Sequence, residues 1–280
     1  MIFWVNLDVL RAVVPQGVLN VSGERSLSEK LEPELTMGFQ WLENTFGDLE
    51  QYFPYDKEAM PQGYVRGSGS YELDLAVTMV IDRAFYNTFD ALNVILTSNG
   101  FGVVSNQQVA PASKDRTDAY KKSLARNFNR LLVALYGRCL KVQAWREQQW
   151  TLFGRTLVGP NAILTDSEMA CDIDAWSKVR PTIYNCEQEL AEKALSDDLY
   201  EWLFDNMYGA SVRRLMVVLS ITVTKYIYGR QESVWADMQQ MVQIIRLQPE
   251  LKAIWENTAT AKGWNAPGFE NKREAGGVWL

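Results

Sequence analysis

The chain has 280 residues, 47% of them hydrophobic and 22% charged, with a formal net charge of −6. That is enough for one large domain or two small ones, at the composition of an ordinary soluble globular protein. Histidine is absent and cysteine occurs three times, at Cys139, Cys171 and Cys186, which excludes Ser–His–Asp and Cys–His catalysis, histidine-bearing metal sites and a four-thiolate zinc site.

Other exclusions follow from pattern. No run of about 18 apolar residues occurs, so no membrane span is expected. The opening Met1–Asp8 lacks the basic flank and long apolar stretch of a secretory signal. The cysteines are far apart without a CxxC, as in a reducing compartment. Neither GxGxxG, GxxxxGK[ST] nor HExxH is present. No cofactor and no metal are expected, and the balance favours a structural or binding role over an enzyme.

In chain order, Leu7 to Val14 reads as a short helix stopped by Pro15. After a Gly- and Ser-rich loop, Ser26 stands three residues before Glu29 in capping-box register. Leu31, Leu35, Phe39, Leu42 and Phe46 then recur at helical spacing, and Gly47 ends the helix. A loop to Ser70 leads into a second helix from about Tyr71 to Asn93. Val94–Thr97 and Phe101–Val104 flank Ser98-Asn99-Gly100, which predicts a β-hairpin over about 94–104. Ser113 caps the longest helix, whose ladder is Tyr120, Leu124, Phe128, Leu131, Leu135, Cys139, Val142 and Trp145. Some 35 residues at 1.5 Å each would make a rod of roughly 50 Å.

From Trp150 to Ile173, glycines and Pro160 interrupt the pattern, and short extended segments are expected. Helices return in the second half, including Val234–Leu247 and Pro249–Thr258. Pro33 and its flanking residues match those around Pro181, and Leu49–Phe53 matches Leu199–Leu203, as in a duplicated helical unit. Gly and Pro argue against a helix from Ala261 to Leu280. The expected organisation is therefore mainly α: an N-terminal lobe with hairpin (1–150), a short extended linker (151–173), a second helical lobe (174–260) and an extended tail (261–280).

Charge is uneven. Between Lys114 and Arg155 ten basic residues face three acidic ones, a local +7 that leaves −13 elsewhere. Lys122, Arg126 and Arg130 fall at i, i+4 and i+8, one strip of a helix, and are expected to bind a partner. Trp264, Phe269 and Trp279 are expected to seat the tail on a neighbouring chain, because burial must offset the ordering of a Gly-rich segment. Acidic pairs at Asp166/Glu168, Asp172/Asp174 and Asp197/Asp198 could in principle do acid–base or Mg²⁺ chemistry. Each stands near a helix start, where a carboxylate is favoured by the helix dipole.

The stretch Leu92 to Arg116, above all Asn99 to Arg116, resembles a motif of an uncharacterised family found in tailed phages and prophages of Bacteroides-type bacteria. The pattern of Pro33, a helix, Gly47, Leu49 and Tyr52, and its recurrence after Pro181, is similar to that family too. The resemblance runs over most of Leu27 to Leu247. Its members look like head–tail connector (neck adaptor) proteins, and no catalytic residues come with them. It implies a structural virion protein forming a homo-oligomeric ring in the neck, with portal and other neck or tail proteins as partners and only passive contact with passing DNA. Such a ring is put together in the bacterial host cytoplasm. Another minor virion protein, such as a tail-completion or minor capsid protein, and a carboxylate-based metal-dependent enzyme are the alternatives.

Overall fold

The computed structural model describes residues 5, 7–13, 26–92, 94–97, 100–103, 114–153, 155–230 and 234–266. They divide into two compact units, residues 1–181 and 182–280. No helix among the described residues is long and apolar enough to cross a membrane.

The first unit is built on three helices after a short one, α1 (Leu7–Val13). In α2 (Leu27–Phe46) the capping box forms: Glu29 N–H donates to Ser26 Oγ at 3.3 Å and Ser26 N–H to Glu29 Oε2 at 2.6 Å. Gly47, at φ 72°, ends it, its N–H donating to Glu43 O at 2.8 Å. Helix α3 (Tyr71–Leu92) is buried around most of its circumference, with Leu75, Ala76, Val77, Met79, Val80, Ile81 and Asp82 all inside. A helix apolar on all sides belongs between neighbours, and α3 packs along both α2 and α4 (Lys114–Cys139). The approach of α2 is close: a Cβ on Gly38 would lie 2.8 Å from Val80 Cγ1.

The long rod is shorter than the sequence suggests. Helix α4 stops at Cys139, and α5 (Gln143–Phe153) starts after a break. At the break Val142 N–H donates to Cys139 O at 2.9 Å, and Arg146 Nη1 reaches back to Leu140 O at 2.7 Å. The turn lets Trp145 donate Nε1–H to Phe46 O at 2.7 Å and meet Tyr136 edge-on. The apolar ladder keeps its step through Cys139, Val142 and Trp145, so periodicity alone does not mark the break.

The expected fold class is corrected: helices alone form the core. The stretch expected to be an extended linker carries 3₁₀ turns at Pro160–Thr165 and Met169–Cys171 and belongs to the first unit. It is held there by burial of Leu157, Val158 and Ile163 and by Asn129 of α4, whose Nδ2 donates to Ala170 O at 3.1 Å and Asp172 O at 2.9 Å. The one strand pairing among the described residues joins β1 (Val94–Thr97) to β2 (Gly100–Val103), with Val94 opposite Val103. Two strands of four residues form no layer, and a ribbon this small is marginal by itself; helices supply the core. The division between units falls at Pro181, inside α6 (Ala175–Leu190), rather than in 151–173. Proline there removes one rung of the helical ladder.

In the second unit α6 runs into a π-helical turn, Ala191–Leu195, closed by Ser196 N–H on Ala191 O at 2.8 Å. Ser196, at φ 75°, caps α7 (Asp197–Asn206) through Leu199 N–H. Then come α8 (Arg213–Ile227), α9 (Val234–Leu247), α10 (Pro249–Trp255) and α11 (Ala259–Asn265). Helices α8 and α9 pack together and share the ion pair of Lys225 with Asp237, at 2.8 Å. The last helix corrects the expectation of a tail without helix from Ala261. Thr258 Oγ1 caps α11 by accepting from Ala261 N–H, and Gly263 lies within it.

Candidate functional site

The two seams of α3 differ in chemistry. Against α2 its buried contact is apolar, with Gly38 seated on Val80, and only at the exposed edge does Asn87 Nδ2 donate to Glu34 Oε2, at 3.0 Å. Against α4 it includes the buried carboxylate of Asp82, whose Oδ2 accepts from Nδ2 of the exposed Asn127. Burial pushes the Asp82 carboxyl up to about 7, against the opposing pull of the Asn127 hydrogen bond and the Arg66 charge. Arg83 ties the helices together: its guanidinium stands 5.1 Å from the Trp41 ring centroid and 6.0 Å from that of Phe128, and donates to Asp174 Oδ1 at 3.1 Å.

This packing leaves one face of α4 and one of α2 in solvent. Lys122, Arg126 and Arg130 are all exposed. From Ala119 to Cys139 the helix has five basic side chains and no acidic one. Arg126 rests its Nε 3.1 Å from Cys171 Sγ. Neither Lys122 nor Arg130 has an ion-pair partner among the described residues. On α2 the exposed line is Glu29, Glu32, Thr36, Gln40 and Glu43, at steps of three or four. Glu29 is engaged in the capping box, whereas the carboxylates of Glu32 and Glu43 pair with nothing among the described residues. The core face of α2 was readable from its leucines; its outer acidic line, equally periodic, was the feature the sequence reading passed over.

Two of the acidic pairs are engaged in local structure. Asp172 accepts from Asp174 N–H at 2.9 Å and from Lys178 Nζ. Desolvation pushes its carboxyl up, but the Lys178 and Asp174 bonds outweigh this and hold it below the ordinary value. Asp174 pairs with Arg83. Asp166 Oδ1 accepts from Glu168 N–H at 2.7 Å and Met169 N–H at 3.0 Å. Asp197 and Asp198 lie in the first turn of α7. Among the described residues no group of three or more Cys, Asp or Glu side chains converges as a metal site would require. Burial pushes the thiols of Cys139 and Cys186 up, the latter to about 12, so both stay protonated at neutral pH.

Trp264, expected to seat the tail on a neighbouring chain, has partners in its own chain. It stacks on Trp235 with centroids 5.0 Å apart and donates Nε1–H to Lys193 O at 2.6 Å. Thr260 Oγ1 reaches Glu192 O at 3.1 Å and Trp255 Nε1 reaches Ala194 O at 2.9 Å. Three consecutive carbonyls of the π turn thus meet donors from the C-terminal helices, which fixes the half-exposed indole of Trp264 against the turn. Phe269 and Trp279 lie outside the described residues. The second unit also exposes Val217, Ile221 and Tyr228 along α8, an apolar face absent from the expected site.

Residues 41–135 match the model of a family described as "Family of unknown function (DUF6712)". The match covers α3, nearly all of α4 with Lys122, Arg126 and Arg130, and the end of α2 with Glu43. No curated protein and no solved structure matches the chain.

Proposed function

We propose that the protein is a structural subunit that assembles with copies of itself, and that the assembly is the ring of a phage head–tail connector, in the virion neck between portal and tail. The observation that carries self-assembly is the exposed basic strip Lys122, Arg126 and Arg130 of α4, held on a helix whose other side is locked into the core. Exposed charges satisfied only by water add little to folding, on the order of 0–1 kcal/mol per pair even when paired. Repeated in register around a ring, the same charges set orientation and partner choice. The neck placement follows the sequence similarity of residues 99–116, and of the Pro33 to Tyr52 pattern, to the phage family. A ring subunit needs no catalytic group, and Asp166, Asp172 and Asp174 have turn-capping and ion-pair work of their own.

The test is the native mass of the full chain, with negative-stain images of the particles. A closed ring of fixed copy number is expected. Arg126→Glu with Arg130→Glu should reduce particle size and leave the helical circular dichroism unchanged. A wild-type chain that stays monomeric at high micromolar concentration, or a variant that assembles as wild type, overturns the reading.

A further inference from the structure

We infer that the partner of the α4 basic face is the acidic outer line of α2 on a second copy of this chain. The inference rests on the self-assembly reading above and adds which surfaces meet. Three observations support it. The two faces are opposite in sign: the outer line of α2 carries Glu29, Glu32 and Glu43 and no basic residue, while the strip Lys122, Arg126 and Arg130 of α4 is wholly basic. They match in length, Glu32 to Glu43 spanning about 16 Å and Lys122 to Arg130 about 12 Å at 1.5 Å per residue. Both are straight lines on helices fixed against the same α3, so their relative position is set by the core and not by a loop.

The decisive experiment uses two full-length variants, each altered only at side chains without an ion-pair partner in the described structure. The first is Lys122→Glu with Arg130→Glu; Arg126 is left alone because it touches Cys171. The second is Glu32→Lys with Glu43→Lys. The first variant then has two acidic faces and the second two basic ones. Each alone should lose assembly, with the apparent dissociation constant raised at least about tenfold. An equimolar mixture should assemble again with both chains in the particle, since every acidic face now finds a basic one on the other variant. Native mass spectrometry reads all three samples, and circular dichroism checks that each variant keeps its helices.

Recovery on mixing supports the pairing of α2 with α4. If the wild type assembles but either variant alone does so equally well, or the mixture stays dissociated, the pairing is wrong and self-assembly stands. A wild type that never assembles sinks both. A first variant that assembles normally and loses only affinity for duplex DNA makes the α4 strip a nucleic-acid face and overturns the inference.

Discussion

The two seams of α3 solve the same packing problem in different ways. Toward α2 the buried contact is apolar and close, with a glycine where a side chain would collide with Val80. Toward α4 it admits Asp82 and Asn127, and Arg83 spans Trp41 and Phe128 from the side. The first seam depends on volume and the second also on protonation. Stability should therefore respond to volume changes at Gly38 and to pH at Asp82, and the outer faces should influence neither.

The largest effect is expected at Phe128, fully buried on α4 with its ring 5.4 Å from that of Trp41. Phe128→Ala should cost about 3–5 kcal/mol through lost burial and a residual cavity, read as a shift in the urea midpoint. A loss below about 1 kcal/mol would show that the aromatic contact is dispensable.

Asp82 comes next. Its folded value, about 7, lies above the ordinary carboxylate value of 3.8. Between those values the folded state binds more protons than the unfolded one, so stability falls as pH rises from about 4 to 7 and then levels off. The full change is on the order of a few kcal/mol. Asp82→Asn, which keeps a partner for Asn127, should flatten that slope and raise the melting temperature at pH 8. A variant with the wild-type slope would place the titration elsewhere.

Gly38→Ala probes the other seam. The added methyl meets a β-branched side chain with little room to rotate, and the expected cost is about 1–3 kcal/mol, independent of pH. A pH-dependent loss, or none, would erase the contrast between the seams. The smallest effect on folding belongs to the outer faces: Lys122→Glu with Arg130→Glu should change the unfolding free energy of the isolated subunit by no more than about 0.5 kcal/mol.

Much of this was legible in the sequence because local rules agree with the fold. Ser26 with Glu29, the Leu31–Leu35–Leu42–Phe46 ladder and Gly47 define α2 almost to the residue. Helix α3 is readable from its unbroken apolar content. The long helix was overextended because Cys139, Val142 and Trp145 keep helical spacing across a break that Trp145 and Arg146 stabilise through tertiary bonds. The 151–173 stretch was read as extended from Gly154, Gly159 and Pro160. Its 3₁₀ turns depend on burial against α4 and on Asn129, neither visible locally. The docking of Trp264 depends on carbonyls freed by a π turn some 70 residues earlier, a feature with no sequence signature of its own. At the candidate site, the basic strip followed from spacing on α4, and its acidic counterpart needed knowledge of which side of α2 faces solvent.

The most direct test of charge-driven assembly is sedimentation velocity of the wild-type chain across a salt series. The Debye length falls from about 10 Å at 0.1 M to about 3 Å at 1 M, so contacts between exposed carboxylates and basic side chains weaken steeply over that range. Assembled particles at low salt that dissociate toward subunits as salt rises are the expected result. Particles of constant size across the series, or subunits alone at every salt concentration, would contradict it.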